Sequence, residues 1–314
     1  MRLERIPGRW LTGAAMKRAG ALYPSASIDP RGDIYVWEDV PCPFFAERTA
    51  VRCRSANVPG TYYWAYRTAG DGRWHPQEWQ NAFRQTYNFL LPRGVGDLWV
   101  VGTRDILNAE ARYACSDAVS YCFDQVFLSR WHRDTQPSWL TIVARAAQGA
   151  VGYTGDHRAS AEDAYVDTHG QTHVLASVID RTTHGAWGNH HLVIDRTGRM
   201  TDIQYWAVPY PNLSRITQDT SGRFWLYSVG PDPANGHRCE VFIAGGTAGD
   251  TDGTRLGPVT VIPFTGGYDC ATENRNFDVS PRSGTAPANY IDGVLPTNGG
   301  RDWVHYRLAL PPHP

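Results

Sequence analysis

Short runs of alternating apolar and polar residues recur along this chain, each broken by a polar turn and resumed on its far side. Alternation with a period of two is the signature of half-buried strands, whose successive side chains face opposite ways. Between Ser160 and Tyr227 the turn takes one form three times: Asp167-Thr168-His169-Gly170, Asp195-Arg196-Thr197-Gly198 and Asp219-Thr220-Ser221-Gly222. Asp29 to Gly32 repeats it near the start, and Ala69-Gly70-Asp71-Gly72 closes a further hairpin. In each Asp-x-x-Gly turn the carboxylate can bond the backbone two residues on, and glycine supplies the positive φ that closes the loop. Strands follow turns with no helical period between them, which predicts an all-β repeat protein.

The repeats group in fours. First strands start near 23, 86, 164 and 213, and in the second group Pro92-Arg93-Gly94-Val95-Gly96 replaces Asp-x-x-Gly. The stretch from about 276 onward, with Trp303 to Leu308, reads as an incomplete or closing group; residues 1–20 are not assigned. A four-stranded antiparallel unit repeated with loop insertions predicts a β-propeller, because radial stacking hides sheet edges and needs only short turns. About five blades are countable, either closing as one domain over 1–314 or forming part of a larger propeller. A β-sandwich or jelly roll is the rival architecture.

The hairpins, with Gly72-Arg73-Trp74 after one turn and Gly222-Arg223-Phe224-Trp225 after another, resemble the BNR-repeat propellers, the sialidase-like and BNR-4-type families. The resemblance covers most of the chain. The usual Asp-box of these families is Ser-x-Asp-x-Gly-x-x-Trp, and the step from Asp219 to Gly222 is one residue longer than its Asp-x-Gly. Arg5-Ile6-Pro7 matches a sialidase tripeptide, but no regular Asp-box series accompanies it, so the BNR-4-type branch is the better match. That branch implies polysaccharide lyases and glycosidases acting on uronate- or rhamnose-containing glycans. Fold alone does not settle function.

Composition narrows the partners. The net charge of −1 over 314 residues gives no reason to expect a nucleic-acid or membrane-surface partner. Lys17 is the sole lysine, so positive charge is carried almost wholly by arginine, whose planar fork suits carboxylates and sugars. The six cysteines fall as Cys42 and Cys53, Cys115 and Cys122, Cys239 and Cys270. An even number in polar loops points to disulfides and an extracellular or periplasmic protein, with the connectivity open. No signal peptide is visible behind Met1-Arg2-Leu3-Glu4-Arg5. No P-loop occurs, no motif requires a cofactor, and a structural calcium or zinc ion is compatible with the loops without being demanded.

Propeller geometry sorts the connections onto two faces. The Asp-x-x-Gly turns share one face and are read as structural, His169 and His173 included. The longer connections, 38–60, 75–85, 102–122, 146–162, 180–189, 205–212, 230–238 and 264–276, fall on the other, where sites usually form. They hold the candidates, and His190 opens a strand at the same rim. His157, His184 and His190 can take a proton, Arg158 can neutralise a carboxylate, and Tyr205 can protonate a leaving oxygen. Arg104, Arg181, Trp187, Trp206, Tyr210, Tyr268 and Arg275 can bind a sugar chain. That set fits β-elimination on a uronate, which needs a cation at the carboxylate, a base for the acidic C5 proton and a donor for the leaving group. Hydrolysis needs paired carboxylates instead, or a Tyr nucleophile with an Arg cluster. Asp105, Asp156, Asp269 and Glu273 are the available acids. A glycan-binding propeller without catalysis is the third reading. In each the partner is a polysaccharide or oligosaccharide.

Overall fold

In a computed structural model the protein is built of strands throughout its described parts. The structure describes residues 22–40, 60–81, 84–107, 121–133, 135, 138–144, 159–179, 187–206, 214–232, 238–250, 253, 255–263, 278–280, 287–297 and 302–311. The chain divides into two compact units. The first comprises Met1–Ala161 and Val178–Ala186, the second Glu162–Ser177 and Trp187–Pro314.

The first unit holds two four-stranded antiparallel sheets. One is formed by β1 (Leu22–Ile28), β2 (Ile34–Val40), β3 (Gly60–Arg67) and β4 (Trp74–Asn81). The other is formed by β5 (Arg84–Gly94), β6 (Asp97–Leu107), β7 (Tyr121–His132) and β8 (Ser138–Ala144). Every second residue of the central strands turns toward a shared aromatic layer: Tyr35 and Trp37 from β2, Trp64 and Tyr66 from β3, Leu98 and Val100 from β6, Trp131 from β7. Trp37 and Trp131 meet edge to face, with centroids 4.9 Å apart. The buried Trp131 indole N–H is satisfied within this layer, donating from Nε1 to Ser129 Oγ at 2.7 Å. Across the unit, Ser25 Oγ of β1 donates to the Asn88 carbonyl of β5 at 2.7 Å.

The second unit holds most of β9 (Ala159–Val166) and β10 (Thr172–Ile179), with β11 (Trp187–Ile194) and β12 (Met200–Trp206), as one four-stranded sheet. A second sheet joins β13 (Ser214–Gln218), β14 (Phe224–Asp232), β15 (Arg238–Gly245) and β16 (Thr260–Pro263). A third, of three strands, joins β17 (Asp278–Ser280), β18 (Tyr290–Thr297) and β19 (Asp302–Ala309). β14 explains how they stack. Its odd positions Trp225, Tyr227 and Val229 pack with Cys239, Val241, Ile243, Ile291 and Leu310. Its even positions Phe224 and Leu226 pack with Tyr165, Leu175, Ile216 and Ala244. A strand buried on both faces reads as a continuous apolar run, as Phe224-Trp225-Leu226-Tyr227 does. The middle sheet therefore lies between its two neighbours, and each fully buried Leu or Phe contributes about 1.5–3 kcal/mol to holding it there.

Strand order follows chain order in every sheet. These are up-and-down meanders, and the crossed connections that a sandwich or jelly roll uses are not found among the described strands. The strands begin at 22, 84, 159 and 214, close to the expected starts, and the last group has three strands. Two expected loops are corrected. Most of 75–85 is strand: His75-Pro76 interrupts the hydrophobic alternation, but β4 is an edge strand, where a missing ladder donor is tolerated. Likewise β6 runs on to Leu107, so Arg104 and Asp105 lie in a strand and not in the connection 102–122. No described helix is long and apolar enough to cross a membrane.

Candidate functional site

The Asp-x-x-Gly turns share one geometry. In all four, one carboxylate oxygen accepts the backbone N–H groups two and four residues on: Arg31 and Asp33 from Asp29, His169 and Gln171 from Asp167, Thr197 and Arg199 from Asp195, Ser221 and Arg223 from Asp219. The glycine closes each with φ between 77° and 89°. This outcome matches the structural reading of the turns.

What differs is the second carboxylate oxygen. In Asp219 it accepts the indole N–H of Trp225 at 2.9 Å, six residues on. In Asp167 the residue six on is His173, and Nε2 of its ring lies 3.2 Å from Oδ2. His173 Nδ1 stands 2.9 Å from His191 Nε2, and His191 Nδ1 stands 3.2 Å from the carbonyl of Gly253. Both rings are buried, His173 at 0 % exposure and His191 at 1 %. Burial pushes the Asp167 carboxyl up. The hydrogen bond and field of His173, with the Gln171 N–H, outweigh it and hold the group below the usual carboxylate range. Asp219 follows the same logic: burial raises it, the bonds from Ser221 and Trp225 outweigh that, and it too ends low. The His pair thus sits inside the core, and the alternation of β11 puts His191 inward while His190 is half-buried.

Of the residues expected at the site, Arg104, Trp187, His190, Tyr205 and Trp206 lie on described strands. Arg104 is half-buried on β6, its backbone paired with Gln85 on one side and Gln125 on the other. His190 of β11 lies opposite Tyr205 of β12, and Asn189 lies opposite Trp206. Trp187 opens β11. The structure therefore brings His190 and Tyr205 to one register position. His157, Arg158, Arg181, His184, Tyr210, Tyr268 and Arg275, with the acids Asp156, Asp269 and Glu273, lie outside the described residues.

Three residues of β9 and β13 were not singled out from sequence. Glu162 and Asp163 of β9 are buried at 6 % and 0 % exposure. Asp163 Oδ2 accepts the backbone N–H of Ile216 at 2.9 Å, tying β9 to β13. Arg215 of β13 donates through Nη1 to the carbonyls of Glu162 at 2.8 Å and Ser214 at 2.9 Å. Adjacent acids inside an otherwise apolar strand, Ala161-Glu162-Asp163-Ala164-Tyr165, were the signal that could have found them. Asp163 accepts backbone N–H groups on both oxygens, from Ala164 on Oδ1 and Ile216 on Oδ2. Glu162 faces the other side of β9 by alternation. Arg215 supplies a cation beside the Glu162 backbone. Among the described residues no group of three or more His, Cys, Asp or Glu is placed to hold a metal ion.

No protein-family model matches the chain, and no curated protein matches its sequence. Solved structures do match its fold. An α-L-arabinofuranosidase from Fusarium graminearum, solved with an iminosugar inhibitor, aligns over 93% of this chain and 82% of its own, with a TM-score of 0.51 and 13% identity. An α-L-arabinanase from Penicillium chrysogenum, solved with arabinobiose, aligns over 91% of this chain and 80% of its own, with a TM-score of 0.50 and 14% identity. At such identity the likeness concerns the fold, which is the all-β propeller class of repeated antiparallel sheets that the repeat pattern predicts.

Proposed function

We propose that this protein is a carbohydrate-active enzyme that hydrolyses glycosidic bonds in an oligo- or polysaccharide. The observation that carries the proposal is the match of nearly the whole chain to an α-L-arabinofuranosidase fold, 93% of it at a TM-score of 0.51. The buried acid Glu162 of β9, whose backbone carbonyl accepts from Arg215, supports it. Hydrolysis takes the place of uronate elimination as the leading reading, because glycoside hydrolysis runs on carboxylates and both matched structures carry glycosidase names.

In this reading one carboxyl group protonates the leaving oxygen. A second carboxylate activates water or attacks the anomeric carbon. Glu162 is the described residue assigned to one of these roles; Asp105, Asp156, Asp269 and Glu273 are the candidates for the other. Arg104, Trp187, Trp206 and Tyr205 are assigned to sugar binding. BNR-type repeats remain part of the proposal, supported by the Asp219–Trp225 bond, which joins the acid of the turn to the tryptophan after it. Secretion is proposed on the six cysteines, of which Cys239 is disulfide-bonded.

The test is Glu162→Gln assayed for reducing-end release on whichever glycan the wild type cleaves. A general acid or base contributes about 10²–10⁴-fold, so the variant should lose rate on that scale with its thermal midpoint retained. Undiminished turnover would remove Glu162 from the mechanism.

A further inference from the structure

We infer that the buried chain Asp167–His173–His191–Gly253 holds three protons in the folded protein, one more than two neutral imidazoles carry, and so forms a pH-responsive latch between a turn and a loop. The inference does not depend on the proposed activity. It comes from counting donors. The chain ends on two groups that only accept: the ionised Asp167 carboxylate and the Gly253 carbonyl. Between them lie three contacts, of 3.2, 2.9 and 3.2 Å. Each needs one proton between its heavy atoms. Two neutral rings supply two. With only two, one contact sets lone pair against lone pair inside the core. The third proton makes His173 an imidazolium that donates to Asp167 through Nε2 and to His191 Nε2 through Nδ1. His191 then donates through Nδ1 to Gly253. The cation and the Asp167 carboxylate cancel, which is the condition for burying either.

The surroundings leave that balance intact. From β9, the Tyr165 phenol is pushed up to about 12 by burial and by Asp167, so it stays neutral. From the turn, His169 is exposed, with Nδ1 3.8 Å from Asp167 Oδ2, and Arg196 donates to the His169 carbonyl at 2.9 Å. From β13, Gln218 accepts the Thr168 N–H at 3.1 Å. From β14, the Phe224 ring lies 4.4 Å from the His173 ring, and Arg223 turns away to the Gly246 carbonyl at 2.6 Å. After β15, the buried acid Asp250 lies beside Gly246, and Gly253 follows. A Cβ at Gly253 would stand 3.0 Å from His191 Cε1, and its φ is +72°, so the loop is seated directly on this ring.

Nitrogen-15 spectra of the full-length labelled protein at neutral pH read the count directly. The wild type should show three ring N–H protons on the pair, with both nitrogens of His173 protonated. His173→Phe and His191→Phe assign the signals. Asp167→Asn is the decisive variant. Its amide keeps the oxygen that closes the turn and offers an N–H to His173 Nε2, so two neutral rings now satisfy every contact and two ring protons should remain. Thermal unfolding gives a second readout. Unfolded histidines release their proton above about pH 6.5. A folded state that keeps one proton more must therefore lose stability as pH rises from there. The wild-type midpoint should fall across that range, and that of Asp167→Asn should fall less. Two ring protons in the wild type, or parallel pH profiles, would overturn the inference.

Discussion

At the scale of single residues, one turn is reused with different occupants six positions on. Trp225 completes the turn of Asp219 and His173 completes that of Asp167. Trp225→Phe keeps the apolar ring but leaves Asp219 Oδ2 without its donor. It should cost about 1–3 kcal/mol in denaturant unfolding, with turnover per folded molecule unchanged. Glycine positions in the turns are also unequal. A Cβ at Gly170 would meet Arg196 Nε at 2.7 Å, whereas one at Gly222 meets nothing within 4 Å, although both residues have positive φ. Left-handed backbone alone costs an L-residue about 1–2 kcal/mol. Gly222→Ala should show that cost and Gly170→Ala a larger one, both in chemical denaturation and both without loss of activity per folded molecule. Equal penalties would show that Arg196 moves aside freely.

At the scale of elements, the strands were legible because each alternates cleanly and each hairpin carries its own turn chemistry. What escaped was continuity past a break. His75-Pro76 and the polar run Gly102 to Asp105 look like loop, yet both are strand, because an edge strand forgives proline and ladder pairing carries polar residues along. Glu162 and Asp163 escaped for another reason: the local run flags adjacent acids in an apolar strand but does not reveal their bonds to β13. Their neighbours can be tested. Asp163→Ala removes the acceptor of the Ile216 and Ala164 N–H groups, and a buried hydrogen bond to a charged group is worth about 1.5–3 kcal/mol. The unfolding midpoint should fall accordingly, while Asp163→Asn, which keeps an acceptor, should fall less. The turns also set the acid limit. The folded Asp167 and Asp219 carboxyls lie below their unfolded value of about 3.9. Their stabilisation is therefore complete above that pH and is lost as pH falls through the folded values. Unfolding midpoints measured below about pH 4 should drop, and Asp219→Asn should flatten part of that drop.

At the scale of the molecule, the repeat pattern predicted the propeller class because every group repeats the same burial problem and the same solution. The second unit shows it directly, with β14 buried on both faces between neighbouring sheets. The candidate site residues were far less legible. The candidates were drawn mostly from connections whose composition obeys no period, and of the twelve residues picked from sequence only Arg104 and His190 have side chains among the described ones. The central claim, hydrolysis of a glycan, is tested most directly by incubating the protein with a panel of neutral arabinose-containing and acidic uronate-containing polysaccharides. Reducing ends and the ultraviolet absorbance of unsaturated uronate are followed together. The account predicts new reducing ends without absorbance. Absorbance rising with the reducing ends would establish elimination instead, and retention of a glycan with neither signal would make this a binding protein.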